Sequence, residues 1–435
     1  MRMSVIGTGY LGATHAAAMA ELGHEVVGVD VDAAKIDTLR SGRVPFHEPG
    51  LPELLQRHVD GGALRFTTSV DEAVDFADLH FVCVGTPQRP GELAADLRYV
   101  EAAFASVTAR VRPGATVVGK STVPVGTAAV LAGPLRAAGA ALVWNPEFLR
   151  EGFAVQDTLH PDRIVLGVDP SGPEHGGAAL LDAYAAIVGR GTPLITCDFP
   201  TAELVKVAAN SFLATKISFI NAMAEICEVT GADVTKLAEA IGHDARIGHR
   251  FLHAGLGFGG GCLPKDIRAF MARAGELGVD QALTFLKSVD DINLRRRARM
   301  VDLARELCDG SLAGRRVAVL GLSFKPNSDD IRDSPALDVA VAVQQAGAAV
   351  RAYDPEAMAN AKDRHPTLAY SATALDACRD ADVVLHLTEW DEFRHLLPGA
   401  LADTVAQRRI VDGRNALDPQ HWREEGWLFR ALGRP

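Results

Sequence analysis

Cys262 lies in the stretch LGFGGGCLPKD (residues 256–266), where three consecutive glycines precede a thiol and Pro264, Lys265 and Asp266 follow it. Proline suits the first turn of a helix, so a helix is expected over PKDIRAFMARAGELG, starting just past Cys262. A thiol at a helix N-terminus beside Lys265 is stabilised as a thiolate, the nucleophilic form. The glycines would let a ligand approach the backbone closely or allow positive φ. The plainer alternative is a flexible turn, with Asp266 an ordinary first-turn residue. Combined with a hydride-accepting coenzyme, a nucleophilic cysteine would carry an aldehyde through a thiohemiacetal to a thioester, and so to an acid.

The coenzyme signal is Gly7-Thr8-Gly9-Tyr10-Leu11-Gly12, a GxGxxG that follows a strand-like run, opens a helix-like one, and is trailed by Asp30 at the end of the next strand. Gly7 permits the tight turn, Gly9 lets backbone approach a pyrophosphate, and Gly12 lets helix pack on strand. The helix N-terminus supplies amide donors to the phosphates. Asp30 would accept from the ribose hydroxyls, which favours NAD over NADP. Lys35 is a cation that could tolerate a 2′-phosphate, and FAD uses the same fingerprint, so both remain open on these residues alone.

The elements that must position these residues alternate. MSVI, EVVGVD, DLHFVCVG, ATVVGKS and ALVWNP are expected strands separated by helical spans, which implies a parallel, doubly wound sheet. From Thr201 the strand signals stop, and TAELVKVAANSFLATKISFINAMAEICEVTG is expected to be a helix closed by Gly231. A second long helix is expected from about Gln281 to Leu307, with NLRRRARM on its exposed side. Strand–loop–helix–strand logic returns over 315–356, where Asp354 closes the second strand much as Asp30 does earlier. The fold class expected is α/β, with two Rossmann-like units joined by a helical segment.

At 435 residues the chain is long enough for two or three domains. Its net charge of −11 argues against a nucleic-acid surface. The first strand begins almost at Met1 and no apolar run reaches membrane-spanning length, so neither a signal peptide nor a membrane partner is expected, and the location expected is cytoplasmic. Six scattered cysteines without a CxxC pair or a short-range His cluster suit reduced thiols, with no metal.

The chain resembles the UDP-glucose/GDP-mannose dehydrogenase family over nearly its whole length. The blocks that carry this are GTGYLG, HEPGLPELL (47–55), VGTP (84–87), KSTVPVGT (120–127), NPEFLREG (145–152), ELVKVAANSFLATKISFIN (203–221), GFGGGCLPKD, GLSFKPNSDDIRDSP (321–335) and DGRNALD (412–418). The resemblance implies an NAD-binding Rossmann domain (1–198), a central helical dimerisation domain (199–308) and a C-terminal Rossmann-like domain that holds the nucleotide of the sugar (309–435). It implies oxidation of UDP-glucose to UDP-glucuronate with two NAD; GDP-mannose or a UDP-N-acetylhexosamine is the alternative substrate, by the same mechanism.

Matched to the family, Cys262 is the nucleophile. Lys206 and Asn210, four apart on a helix and so on one face, direct an ammonium and an amide at an oxyanion. Asp266 and Thr122 handle protons and a water molecule, and Glu147 is the base in thioester hydrolysis. Thr86, Thr122, Glu151, Lys265 and Arg332 join Gly7 to Gly12, Asp30 and Lys35 on the coenzyme side. The sugar-nucleotide side takes Glu147, Phe148, Leu149, Arg150, Lys206, Asn210, His253, Gly257, Phe258, Gly259, Lys325 and Arg414. Arg246 matches an arginine contributed across a dimer interface, which makes a homodimer the expected assembly. Gly261 stands where a serine is usual, with little chemical consequence expected.

Overall fold

The computed structural model describes residues 1–169 and 175–435. They pack as two compact units, one of residues 1–209 with 268–278 and the other of 210–267 with 279–435.

In the first unit, the strands among the described residues are β1 (Arg2–Ile6), β2 (Glu25–Val29), β3 (Leu64–Thr67), β4 (Leu79–Val82), β5 (Thr116–Gly119), β6 (Ala141–Trp144), β7 (Ile164–Val168) and β8 (Leu194–Asp198). They form one sheet in the order β3-β2-β1-β4-β5-β6-β7-β8. Apolar side chains cover both faces, with Met3, Met19, Leu55 and Phe81 in one cluster and Phe104, Val117, Leu135 and Trp144 in the other. Burial on two sides is why these strands read as continuous apolar runs rather than alternating ones. The expected five strands are present, while β3, β7 and β8 are additional. Two of these, β3 and β8, are the sheet's edges, and no residue of β8 is fully buried.

One feature departs from an all-parallel sheet: β7 runs antiparallel to β6, with Val143 opposite Val168. The connection between them carries only the six-residue helix Ala154–Leu159. The chain therefore turns back instead of making the long crossover that a parallel neighbour requires.

The helix Phe199–Thr230 is 32 residues long, and Gly231 closes it in the left-handed region at φ +76°, as expected. The second long helix begins at Thr284, after a 3-10 turn over Asp280–Leu283, and ends at Leu307. Its basic run is a solvated face only in part: Leu294, Arg295 and Ala298 are exposed, but Arg296 and Arg297 are interior. The Arg296 side chain is 1% exposed and donates to Glu228 at 2.6 Å; Arg297 is buried against Asp338. Acidic partners from neighbouring elements make those arginines interior residues, and periodicity alone cannot reveal such partners.

The second unit carries a parallel sheet of β9 (Arg316–Leu320), β10 (Ala349–Tyr353), β11 (Ala369–Tyr370), β12 (Val383–His386), β13 (Arg409–Asp412) and β14 (Leu428–Ala431), ordered β11-β10-β9-β12-β13-β14. Ser334 caps the helix Pro335–Gln345 by accepting from Leu337 N. Asp354 ends β10 but is not a second Asp30. It is 1% exposed and accepts from the backbone N–H of Leu322 (2.7 Å), Ser323 (2.9 Å), Glu356 (3.0 Å) and Ala357 (2.8 Å), and from Trp390 Nε1 (3.1 Å). That carboxylate is an internal lock on its own loops. No helix among the described residues is long and apolar enough to cross a membrane.

Candidate active site

The first unit builds the coenzyme end. Gly7 has φ +88°, and a Cβ on Gly12 would lie 1.8 Å from the Gly7 carbonyl oxygen. At Gly9 a Cβ would meet nothing within 4 Å, which leaves open space over the N-terminus of the helix Tyr10–Glu21, and no side chain caps that end. The arrangement fits a diphosphate laid on backbone amides.

Asp30 Oδ2 accepts from Thr8 N at 2.9 Å and Lys35 Nζ at 2.8 Å, and Oδ1 from Asp32 N at 3.1 Å. Burial pulls its pKa up, but the Lys35 bond and the backbone donors outweigh it and hold Asp30 below the usual carboxylate range. An ionised, partly open carboxylate fits ribose hydroxyls, and the Lys35 ammonium is committed to it. Substituting Gly12→Ala is expected to raise the Kd for NADH, read by fluorescence titration, at least about tenfold, because the new methyl must displace the turn itself. An unchanged Kd would remove this turn from coenzyme binding.

The loops past β4, β5 and β6 hold the polar side chains. Thr86 Oγ1 donates to the Thr122 carbonyl at 2.8 Å and Ser121 Oγ to the Val84 carbonyl at 2.7 Å, which ties two of these loops together. Glu147 Oε1 lies 2.7 Å from Lys206 Nζ, and its Oε2 accepts from Leu149 N at 2.8 Å. Their side chains are 12% and 5% exposed, so this is an interior ion pair. Phe148 lies 5.8 Å from the Lys206 ammonium and 3.7 Å from the Arg163 guanidinium, measured to its ring centre. Arg150 forks onto Asp157 at 2.9 and 2.6 Å. Glu151 is buried.

In the second unit, Cys262 is half-buried and immediately precedes the helix Leu263–Glu276, one residue longer at its start than expected. Its carbonyl accepts from Asp266 N at 3.0 Å, the first bond of that helix. Asp266 is 2% exposed; it accepts from Asn210 Nδ2 at 2.7 Å and Lys265 Nζ at 2.6 Å. The thiol thus has a helix N-terminus behind it and a hydrogen-bonded carboxylate one turn on.

The glycines before Cys262 include the positive φ expected from the sequence, and close packing by the chain's own groups is a second cause. Gly257 and Gly260 take φ +91° and +82°, and Cβ atoms there would meet Asn293 Oδ1 at 2.0 Å and the Phe324 ring at 2.8 Å. At Gly259 and Gly261 the filled space belongs to the Asp333 carbonyl (2.3 Å) and the Arg332 guanidinium (2.3 Å). The run is smooth so that the chain's own loops can close over it. A side chain at 261 would displace Arg332, so the glycine there is matched to this arginine, which forks onto Asp330 at 2.9 and 2.7 Å.

Arg414 is the other tie in that unit. Nε donates to the Leu387 carbonyl (2.7 Å), Nη1 to Gly257 (3.0 Å) and Nη2 to Phe324 (3.0 Å). Burial lowers its pKa from the usual arginine value. Lys325 Nζ is 5.3 Å from the centre of the Phe324 ring, and Phe258 is buried, bonded through its backbone to Asn293. His253 is exposed, and Arg246 is exposed and paired with Asp244 at 2.7 Å.

Three residues that the sequence reading passed over organise the first unit. Glu48, 2% exposed, accepts from Gly152 N (2.6 Å), Ala154 N (2.7 Å) and the Tyr10 hydroxyl, so it joins the helix after the glycine turn to the loop carrying Glu147. Lys120 and Asn145 bond each other at 2.8 Å. A glutamate before Pro-Gly, and a lysine and an asparagine each ending an apolar strand, were the available signals. Among the described residues, no group of three His, Cys, Asp or Glu is placed to hold a metal ion.

The chain is similar to known proteins over its whole length. Residues 1–187 match the NAD binding domain of the UDP-glucose/GDP-mannose dehydrogenase family, 200–295 its central domain and 318–419 its UDP binding domain. A UDP-glucose 6-dehydrogenase of Rhizobium meliloti is 41% identical over 439 residues, covering all of both chains. Among solved structures, a UDP-glucose dehydrogenase of Pyrobaculum islandicum superposes with a TM-score of 0.90 at 39% identity, over 100% of this chain and 98% of that one. A UDP-D-ManNAc dehydrogenase of Pyrococcus horikoshii gives 0.87 at 26% identity, over 100% and 99%. The chain belongs to the UDP-glucose/GDP-mannose dehydrogenase family, with an NAD-binding domain at its N-terminal end and a UDP-binding domain at its C-terminal end.

Proposed function

We propose that this chain oxidises UDP-glucose to UDP-glucuronate, taking the C6 alcohol through an aldehyde and a Cys262 thioester to the acid. The observation that carries the reading is the half-buried Cys262 thiol at the start of Leu263–Glu276, because a one-step dehydrogenase has no use for a nucleophile there. NAD, when bound, supplies the hydride acceptor for both oxidations. Cys262 attacks the C6 aldehyde to form a thiohemiacetal, whose oxidation leaves the thioester. Lys206 and Asn210 stabilise the oxygen that gains charge as each tetrahedral centre forms. Glu147 takes the proton of the water that hydrolyses the thioester, and Asp266 with Thr122 handles protons around the alcohol. Lys325 and Arg414 serve the diphosphate and sugar oxygens.

In this reading residues 1–198, 199–308 and 309–435 are the coenzyme, dimerisation and sugar-nucleotide segments. The family's domain matches, 1–187, 200–295 and 318–419, support that division. A homodimer is supported by Phe212, Phe219 and Ile226, seven residues apart on one helix and 67%, 49% and 52% exposed. Arg246 would then act on the partner's substrate. The six cysteines are all thiols, which suits a cytoplasmic location.

A panel of UDP-glucose, UDP-N-acetylglucosamine, UDP-N-acetylmannosamine and GDP-mannose with NAD tests the assignment. Two NADH per UDP-glucose is the expected absorbance yield. One NADH would mean a simple dehydrogenase, and none a nucleotide-sugar-binding regulator. A faster reaction with another sugar would move the substrate assignment and leave the chemistry in place.

A further inference from the structure

Lys120 follows β5 and stands two residues before Thr122; Asn145 follows β6 and stands two before Glu147. Lys120 Nζ donates to Asn145 Oδ1 at 2.8 Å and lies 3.3 Å from the Tyr184 hydroxyl, which itself donates to the same Oδ1 at 2.9 Å. Asn145 Nδ2 donates to the Val165 carbonyl of β7 at 2.8 Å. Lys120 is 6% exposed and Asn145 3%. The direct partners of the ammonium are thus neutral oxygens, an arrangement that costs stability in an interior.

Burial pushes the Lys120 ammonium down to about 8, with Cys83 and Glu147 drawing it up and Lys206 drawing it further down. The other titratable groups around it carry no charge at neutral pH. Burial pushes the Cys83 thiol up to about 12, raises Tyr184 above its ordinary value and drives His15 well below its own. A buried charge whose direct partners are neutral oxygens, kept at a cost to the fold, points to a use other than stability.

We propose that Lys120 is a positioning residue for thioester hydrolysis, binding the end of the Thr122 strand to the end of the Glu147 strand through Asn145 so that Glu147 is held where it can take a proton from water. This rests on the function proposed above. In the hydrolysis, the water oxygen bonds to the thioester carbonyl carbon, Glu147 takes the water proton, the C–S bond breaks, and Cys262 leaves as a thiolate with the acid as product.

The test is Lys120→Met, a neutral chain of similar length, mixed rapidly with UDP-glucose and NAD. Release of the first two NADH per site should stay within about threefold of wild type. Steady-state kcat should fall roughly tenfold or more, and intact mass spectrometry should find a UDP-glucuronyl adduct on Cys262. The sign of the stability change separates this role from a structural one. The folded pKa of about 8 lies below the unfolded value near 10.4, so below about pH 8 the fold carries the full cost of the charge. Between those values the unfolded chain binds the extra proton, and stability rises with pH. At pH 7 Lys120→Met should therefore melt no lower than wild type, and the rise of Tm above pH 8 should flatten.

An unchanged kcat, or equal losses in both kinetic phases, overturns the assignment. If Lys120→Met fails to fold, the structural role wins on stability and Tyr184→Phe decides on kinetics: it removes only the hydroxyl sharing Asn145 Oδ1. It should slow hydrolysis about threefold with the early phase intact, and uniform or absent loss refutes the proposal. A wild-type chain that does not release two NADH defeats the proposed function as well, whereas failure confined to the variants defeats Lys120 alone.

Discussion

Cys262→Ser is expected to abolish net formation of UDP-glucuronate, with kcat reduced at least about 10³-fold, the scale seen when a catalytic nucleophile is removed. A serine hydroxyl at this place is protonated at neutral pH, and the residues preceding it offer no base. The helix N-terminus at Leu263–Glu276 favours an anion there, yet it can bring a thiol near neutrality far more readily than an alcohol. The first hydride transfer needs no nucleophile, so the variant should release at most one NADH per UDP-glucose and retain an aldehyde-level or hemiacetal adduct, visible by intact mass or by trapping with hydroxylamine. Fluorescence titration with NADH should be unchanged, since the backbone amides of the glycine turn, which the substitution leaves intact, hold the diphosphate. Full turnover to the acid by the serine variant would end the covalent mechanism for this chain.

The contrast between Asp30 and Asp354 shows where sequence reading ran out. Both close the second strand of a βαβ unit, and local pattern does not tell them apart. Asp30 is held by Thr8, Lys35 and Asp32 and keeps a partly open face, while every direction around Asp354 is taken by the chain's own donors. The difference lies in donors such as Trp390 Nε1, which is 36 residues distant and invisible to local pattern. The glycines before Cys262 repeat the lesson: the need for glycine was legible, but Phe324 and Arg332, the groups filling the vacated space, are over 60 residues away. On Thr284–Leu307, Arg295 is exposed as its pattern suggests, whereas Arg296 and Arg297 are interior because Glu228 and Asp338 come from elsewhere. By contrast, the helix closing at Gly231 and the turn at Gly7 to Gly12 are local events, and their residues declare them.

The Glu147–Lys206 pair gives the second large effect, and it requires more than one variant to read. Lys206→Met should lower kcat by about 10²- to 10³-fold from the loss of a donor to the oxyanion alone, and by more because it also disables its partner. Glu147, 12% exposed and left without its cation, becomes an unpaired interior carboxylate, at a cost of about 3–5 kcal/mol. The variant should accordingly unfold at lower temperature than wild type. Adding Glu147→Gln removes the orphaned charge. The double variant should therefore recover most of the lost Tm and none of the lost turnover, which sets the pair's contribution to stability apart from its contribution to chemistry. Lys206→Arg keeps the charge but replaces a compact ammonium with a planar fork beside Phe148. It should therefore be more stable than Lys206→Met while remaining slow. If Lys206→Met and the double variant melt together, the ion pair is not what holds Glu147 in place, and the oxyanion role of Lys206 must stand on kinetics alone.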